Sequence, residues 1–315
     1  MEQHCVRHPE LSMYLSVFTD GPDHDWPATL TLARAMDAAG VDRVAVSDHV
    51  VFGENFEAYG DPSVGGTAGG RQPTGPDGAW LEPLIVLTAI AATTSRVRLG
   101  TSILLAALRR PAVLAKQLAT IDYISGGRLD VGVGVGWQRE EYEACGLPFE
   151  GRGRLLDHTL EVCQTLWTEQ RASYQAPELS FDGIHQMPKP VQVGGVPLWI
   201  SGTVNKAVAR RITRFGSGWI PWGPALVDLP ASIAAMKGAV REAGGDPTGL
   251  QVQGSTRVVK KDGGGIDVAA TLEPVPALVA AGVTDFRMPL QVPAEYDGAV
   301  EFLGGFVDAF RDATR

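Results

Sequence analysis

The residue whose type and position best suit proton chemistry is His49. It follows an apolar run at 43–47 that predicts a short β-strand, so it lies at the carboxyl end of that strand. An imidazole takes up and releases protons near neutral pH and can act as a general acid or base. A lone histidine is more often structural, but this position favours a function. Adjacent side chains of a strand point to opposite faces, so Asp48 is not expected to pair with His49.

The run GVGVGW at 132–137 offers a surface for a flat ligand. It ends a predicted strand at 129–136, in which Gly132, Gly134 and Gly136 alternate with valines. One face of that strand therefore lacks side chains, and a ring can approach it closely. Aromatic residues at strand ends can wall such a ligand or fill the core instead. The tryptophans at or near predicted strand ends are Trp137, Trp219 and Trp222.

The segment Ser201-Gly202-Thr203-Val204-Asn205 joins a predicted strand to a predicted helix. Small and hydroxyl residues at that place leave backbone N–H groups free, which is how a helix N-terminus binds phosphate. Ordinary capping of the helix by Thr203 or Asn205 is the alternative. The spacing alone does not decide between a phosphate site and a cap.

Alternating strands and helices provide the scaffold for these residues. We predict strands at 11–18, 43–47, 97–105, 129–136, 197–201, 219–222, 250–259 and 285–290. Each is followed by a predicted helix, at 26–39, 82–94, 111–124, 154–168, 206–215, 230–243, 269–281 and 296–313. Eight such units without a break in composition predict an α/β fold, a single (β/α)8 TIM barrel spanning 1–315. A doubly wound open sheet would need GxGxxG after the first strand, and none follows Phe18.

Two insertions interrupt the alternation. Residues 50–80, after the second strand, are rich in glycine and proline and carry little periodicity. Long loops in compact domains are usually functional or disordered, and loops after barrel strands lie at the active-site face. We therefore interpret 50–80 as a lid over the substrate, with a plain surface excursion as the alternative. Residues 172–190, after the fourth helix, predict a small β excursion.

The amino-acid composition limits the classes of partner that the protein can bind. The net charge of −9 argues against a nucleic acid and against an anionic membrane surface, since both require a basic face. No apolar run reaches the ~18 residues of a membrane span, and the N-terminus lacks the apolar core of a signal peptide. We therefore expect a cytoplasmic protein. The three cysteines are too few and too scattered for a disulfide framework or a metal cluster, so no metal site is expected.

For several charged residues near the predicted site, a structural interpretation stands beside the functional one. Three glutamates of a short helix predicted at 138–145 are interpreted as a solvated face. The pair Lys260-Lys261 after the seventh strand can hold an anionic tail, although solvated lysines are the favoured interpretation. Arg287 in the eighth strand can bind an anion or an internal carboxylate. The three glutamates are Glu140, Glu141 and Glu143.

Six motifs follow one another along most of the chain, from about residue 12 to about residue 290. They are SDH at 47–49, RLGTSI at 98–103, AKQLATID at 115–122, SGGRL at 125–129, GVGVGW at 132–137 and GSGW at 216–219. With these motifs the sequence resembles the luciferase-like flavin- and deazaflavin-dependent oxidoreductases. The resemblance implies a barrel that binds a flat redox cofactor at the carboxyl ends of its strands.

The resemblance also assigns roles to individual residues. His49 would lie over the isoalloxazine or deazaflavin ring as proton donor or acceptor. The Ser102–Ile103 bond corresponds to a non-proline cis peptide that backs the ring in this family; a plain strand is the alternative. The cofactor-binding residues that it implies are Asp48, Thr101, Ser102, Ile103, Gly134, Gly136, Trp137, Ser201, Gly202, Thr203, Gly218 and Trp219.

The segment 132–154 resembles the branch that uses coenzyme F420, a deazaflavin restricted to hydride transfer. The resemblance thus implies hydride transfer to or from a small organic substrate, with an FMN-dependent monooxygenase using O2 as the alternative. A metal-dependent barrel hydrolase and a non-catalytic flavin-binding barrel are less favoured. Some deazaflavin-dependent sugar-phosphate dehydrogenases that the chain resembles carry an acidic glutamate where this chain has Trp137, which argues against a sugar phosphate. A homodimer through the helices after strands two and three is expected.

Overall fold

The computed structural model describes residues 8–315 and contains a closed barrel of parallel strands. The strands are β1 (Glu10–Tyr14), β2 (Arg43–Val46), β3 (Arg98–Leu104), β4 (Leu129–Val133), β5 (Ala172–Gln175), β6 (Ser180–Ile184), β7 (Leu198–Gly202), β8 (Gly216–Pro221), β9 (Gln251–Gly254) and β10 (Asp285–Met288). Around the barrel their order is β1-β2-β3-β4-β7-β8-β9-β10, and β10 closes on β1. The predicted TIM barrel is confirmed.

Helices cover the outside of the barrel. They are α1 (Trp26–Ala39), α2 (Pro83–Thr93), α3 (Pro111–Ser125), α4 (Arg139–Ala144), α5 (Arg152–Thr168), α6 (Lys206–Phe215), α7 (Leu229–Glu242), α8 (Val268–Leu272), α9 (Val275–Ala281) and α10 (Tyr296–Ala313). Local signals set their ends: Pro83 opens α2 after the capping side chain of Glu82, and Gly40 ends α1 at φ 87°. Among residues 8–315, no helix combines the length and apolar character needed to cross a membrane.

A charged layer fills the barrel interior near the amino ends of the strands. The guanidinium of Arg43 lies 2.6 Å from Glu10, 3.0 Å from Asp130 and 3.1 Å from Asp285. Its side chain is only 6% exposed, so the three carboxylates compensate a charge that would otherwise be costly to bury. This layer closes the barrel below the carboxyl ends of the strands.

Several predicted elements differ from the structure. The strands predicted at 11–18 and 250–259 end earlier, at Tyr14 and Gly254. The helix predicted at 269–281 is divided into α8 and α9, because Pro274 and Pro276 cannot donate backbone hydrogen bonds within one continuous helix. The strand predicted at 129–136 ends at Val133, and the following glycines belong to a loop. That loop, rather than a strand, carries the residues at the mouth of the barrel.

Both predicted insertions are present. Residues 172–190 contain an antiparallel hairpin of β5 and β6 outside the barrel. Residues 50–80 form a long irregular segment with 3₁₀ turns at Phe56–Gly60 and Pro62–Val64. Because this segment follows β2, it lies at the carboxyl ends of the barrel strands, where it meets the candidate site.

Candidate active site

A cavity of about 320 Å³ lies at the carboxyl face of the barrel, within the ~300–1,000 Å³ range usual for small-molecule sites. Strands β1, β2, β3, β4, β7, β8 and β10, or the loops after them, contribute to its walls, as does the 50–80 segment. The predicted site residues that line it are Asp48, His49, Ser102, Ile103, Gly134, Gly136, Trp137 and Ser201.

His49 lies inside an aromatic enclosure in this cavity. Its ring centroid is 4.5 Å from that of Phe52, 4.7 Å from that of Trp80 and 5.9 Å from that of Trp137. The imidazole is 9% exposed, and its Nδ1 lies 3.1 Å from Oε2 of Glu141. A buried imidazole beside a buried carboxylate forms an ion pair when it is protonated, so this arrangement can hold a proton next to a ligand.

Glu141 is the functional candidate that the sequence interpretation missed. We predicted a solvated face, but the Glu141 side chain is 1% exposed and its Oε1 accepts a hydrogen bond of 2.8 Å from the Val50 backbone N–H. The next residue, Tyr142, is fully buried and donates to the carbonyl of Val135, which turns α4 inward. The available signal is that Glu141 lies in the first turn of α4, directly after the loop that brings Trp137 into the cavity wall.

Asp48 forms a buried ion pair at the edge of the cavity. Its carboxylate accepts hydrogen bonds from both Nη atoms of Arg109, at 2.6 and 3.1 Å, and from the Leu105 backbone N–H at 2.8 Å. The carboxylate side chain is fully buried. It therefore joins the end of β2 to the end of β3, and its contact with a cofactor stays a prediction. As the alternation of strand side chains predicts, it does not pair with His49.

The end of β3 forms the floor of the cavity. The Ser102–Ile103 peptide bond is cis, as the family resemblance implies, and the register with β4 shifts between Thr101 and Leu104. Ser102 and Ile103 line the cavity. Thr101 does not: it is buried beneath the floor and its hydroxyl donates to the carbonyl of Gly132 at 2.8 Å. The prediction that Thr101 contacts the cofactor is corrected accordingly.

The glycines at the end of β4 and in the loop after it do not leave the open face that their alternation with valines predicts. A methyl group added to Gly132 would lie 2.7 Å from Cδ1 of Ile220, and one added to Gly134 would lie 2.8 Å from Cδ1 of Ile103. Side chains from neighbouring strands therefore fill this face and rest against the glycine backbone. The ligand surface at Gly134 is made of that backbone together with Ile103.

Trp137 and Trp80 wall the cavity and each buries an indole N–H. Neither Nε1 has a hydrogen-bond partner among residues 8–315. Buried polar groups usually have partners, so donors without one beside a cavity indicate a ligand with acceptor atoms. A flat heterocycle whose edges carry carbonyl and ring nitrogen acceptors meets this requirement.

The segment predicted to bind phosphate caps a helix. Asn205 accepts hydrogen bonds of 2.9 Å from the backbone N–H groups of Ala207 and Val208 at the start of α6. Ser201 lines the cavity, whereas Gly202 and Thr203 lie beyond its walls. The capping alternative is therefore present, and a phosphate site at Gly202 and Thr203 stays a prediction.

Two residues of β8 predicted to bind the cofactor are buried in the barrel wall. Trp219 is fully buried, and its indole N–H donates to the carbonyl of Gly202 at 3.0 Å. A methyl group on Gly218 would lie 2.4 Å from Cδ2 of Trp199, so this glycine makes room for an internal ring. These positions are corrected to structural ones. Further along the same strand, Ile220 and Pro221 reach the cavity.

The 50–80 segment covers the cavity. Tyr59, Gly65, Gln72 and Trp80 line it from this side. The segment is tied to the barrel because the indole N–H of Trp222 donates to the carbonyl of Gly65 at 3.1 Å. The segment therefore forms part of the cavity wall, as a lid over the site requires. Opening and closing of the lid stay a prediction.

Of the other charged candidates, the two lysines lie outside the cavity and the arginine lies in its wall. Lys260 and Lys261 are exposed and outside the cavity wall, so their proposed contact with an anionic tail stays a prediction. Arg287 reaches the cavity from β10, and its Nη1 donates to the Ser102 hydroxyl at 2.7 Å. Among residues 8–315, no three His, Cys, Asp or Glu side chains cluster as a metal site requires.

Curated relatives and solved structures show what this chain is similar to. The F420-dependent glucose-6-phosphate dehydrogenase of Segniliparus rotundus is 30% identical over 270 residues, covering 83% of this chain and 69% of that protein. Proteins of Mycobacterium tuberculosis and Mycobacterium bovis are 35% identical over 166 residues, and this match spans 58% of their own length.

Solved structures with the same fold bind different cofactors. An F420-dependent secondary alcohol dehydrogenase in complex with an F420-acetone adduct superposes with a TM-score of 0.73 at 18% identity, covering 97% of this chain and 100% of that one. The oxygenating constituent of 3,6-diketocamphane monooxygenase from Pseudomonas putida, in complex with FMN, gives 0.69 at 14% identity, covering 97% of each chain. At such identities the likeness establishes the fold.

The family match extends through the site. Residues 12–263 match the luciferase-like monooxygenase family, which includes the loops that carry His49, the cis peptide and the 50–80 segment. The closed barrel and the carboxyl-face cavity agree with that match. The chain belongs to the luciferase-like monooxygenase family.

Proposed function

We propose that this chain is an oxidoreductase that uses reduced coenzyme F420 for hydride transfer to or from a small organic substrate, with His49 as proton donor or acceptor. The observation that carries the proposal is His49, which lines an aromatic cavity at the carboxyl face of the barrel and has the buried carboxylate of Glu141 3.1 Å from its Nδ1. The relative from Segniliparus rotundus, which is named for F420, supports the choice of cofactor.

The residues of the cavity fit a flat ring. Ile103 and the backbone of Gly134 provide an apolar floor, and Trp80 and Trp137 provide walls with free indole donors. The ring of F420, when bound, supplies hydride chemistry that no protein side chain offers. The protein's part is to bind the ring, orient it and exclude water.

His49 performs the proton step in this proposal. Its imidazole is held among aromatic rings, which limit its motion and keep bulk water away. The carboxylate of Glu141 lies 3.1 Å from Nδ1 of His49, so the negative charge favours the imidazole when it carries the proton. In this proposal His49 passes the proton to or from the substrate.

The proposal does not extend to glucose 6-phosphate. By the resemblance described above, some sugar-phosphate dehydrogenases of the family carry an acidic glutamate at the position that Trp137 occupies here, and an indole cannot donate a proton as a carboxylic acid does. Trp137 instead adds apolar surface to the cavity wall. We therefore propose a small organic substrate other than a sugar phosphate.

The second candidate function is an FMN-dependent monooxygenase that uses O2. The solved monooxygenase from Pseudomonas putida, in complex with FMN, supports it because its chain superposes over the whole barrel. The same apolar floor and indole donors suit either ring. The difference between the candidates therefore concerns the cofactor and not the position of the site.

Equilibrium binding tests the choice. The apoprotein is titrated with F420 and with FMN, and tryptophan fluorescence is followed because Trp80, Trp137 and Trp222 line the cavity. We expect F420 to bind at least tenfold more tightly than FMN. Tighter binding of FMN would replace the proposal with the monooxygenase, and binding of neither would contradict both.

A pair of glycine variants locates the bound ring. In Gly134→Ala the new methyl group would lie 2.8 Å from Cδ1 of Ile103, so the floor must shift. In the control, Gly304→Ala on α10, no atom lies within 4 Å of the new methyl group. We expect the affinity for the cofactor to fall about tenfold or more in the first variant and to be unchanged in the second.

A further inference from the structure

Two arginines point into the barrel, at different heights, with different surroundings. Arg43 in the lower layer is compensated by the carboxylates of Glu10, Asp130 and Asp285. Arg287 lies two residues after Asp285 in β10, so it belongs to the layer above. The carboxylate of Asp285 forms an ion pair with Arg43 and accepts a hydrogen bond from the side-chain amide of Gln253, at 3.1 Å each. It therefore belongs to the lower layer.

The positive charge of Arg287 is not compensated by carboxylates as that of Arg43 is. Its Nη1 donates to the hydroxyl of Ser102 at 2.7 Å, and no carboxylate of residues 8–315 forms an ion pair with it. Its aromatic neighbours, Tyr14 and Tyr59, remain neutral, because burial raises the pKa of Tyr14 to about 12 and raises that of Tyr59. Burial also lowers the pKa of Arg287, although a guanidinium stays charged in proteins.

An uncompensated cation in a cavity wall favours an anionic ligand. Burying a charge without a partner destabilises a protein, and such groups are normally paired. A guanidinium has five N–H donors in a planar fork that matches a carboxylate. Ser102 uses one of these donors, so the others remain for a ligand in the cavity that Arg287 shares with His49.

We propose that Arg287 binds a carboxylate group of the substrate and so directs the rest of that molecule toward His49. This inference deepens the proposed function and rests on it for the identity of the cavity as the substrate site. It places the substrate among small organic acids. The polar floor residue Ser102 holds the guanidinium in position, and the neutral phenols beside it leave the positive charge available to the ligand.

Binding of matched probes tests the proposal in the whole protein. Benzoate and benzamide have nearly the same shape and differ in charge, and tryptophan fluorescence reports their entry into the cavity. In the wild type, with cofactor bound, we expect benzoate to bind at least about tenfold more tightly than benzamide. In Arg287→Met we expect this preference to disappear, and in Arg287→Lys to persist in part. Equal binding of both probes to the wild type, or a preference that survives in Arg287→Met, would overturn the proposal.

Two further measurements distinguish a substrate-binding role of Arg287 from a cofactor-binding role and from a purely structural one. If Arg287→Met weakens binding of the cofactor as much as binding of benzoate, the arginine contacts the cofactor and the substrate assignment is wrong. If Arg287 is merely structural, Arg287→Met lowers the stability to urea; we expect it to be unchanged or raised, since an uncompensated buried charge is removed. Failure of the proposed function would show instead as absence of F420 and FMN binding, which leaves the benzoate preference measurable in the apoprotein.

Discussion

Removing the carboxylate of Asp48 should destabilise the barrel. In Asp48→Ala the guanidinium of Arg109 loses bonds of 2.6 and 3.1 Å, and the Leu105 backbone N–H loses its acceptor at 2.8 Å. Removing one partner of a buried ion pair costs about 3–5 kcal/mol. Arg109 retains Glu82 at 2.7 Å, so we expect the lower end of that range, about 3 kcal/mol. Equilibrium unfolding in urea, followed by far-UV circular dichroism, measures the loss.

An exposed pair provides the matched control. Arg139 and Glu150 also lie 2.6 Å apart, but their side chains are 49% and 73% exposed, so Glu150→Ala should leave the unfolding midpoint nearly unchanged. Asp48→Asn keeps an acceptor for Leu105 and should fall between the two. The assignment of Asp48 to structure would be refuted if Asp48→Ala were as stable as the control and lost cofactor affinity instead.

Other predictions concern single side chains. Glu141→Gln keeps the shape of the side chain but removes the charge 3.1 Å from His49. Turnover should therefore fall about tenfold or more while the affinity for the cofactor stays the same. Turnover equal to that of the wild type would show that Glu141 has no part in the reaction. We propose a homodimer through α2 and α3, where Ile85 is 72% exposed, and light scattering should show Ile85→Arg as a monomer and the wild type as a dimer. Burial raises the pKa of the Cys163 thiol, so at pH 8 a thiol reagent should label it only after unfolding, as peptide mass spectrometry can show.

Much of the fold follows from local pattern. Alternation of apolar runs with helical stripes predicted every barrel strand, since each βαβ unit has one favoured handedness and one place for its helix. The pattern missed the break at Pro274, where two prolines close together interrupt a helix that otherwise reads as continuous. It also extended the fourth strand beyond Val133, because glycine and valine alternate equally well in a strand and in the loop that follows.

The site was predictable only in part, for a geometrical reason. His49 follows a strand end, and all strand ends meet at one face, so its place could be inferred. Strand periodicity gives the side to which a residue points but not its height in a closed barrel. Thr101 and Trp219 therefore lie below the cavity, although their motifs match the family. Glu141 was missed because an acidic helix reads as solvated unless its packing is known.

The role of His49 can be measured directly. The oxidation of reduced F420 by a substrate, found in a screen of small organic acids, is followed by stopped flow for the wild type and for His49→Asn, and the affinity for F420 is measured in parallel. We predict a rate about 100-fold lower or more, with the dissociation constant for F420 changed by less than about threefold. An unchanged rate, or a loss explained wholly by weaker F420 binding, would contradict the assignment of the proton step to His49.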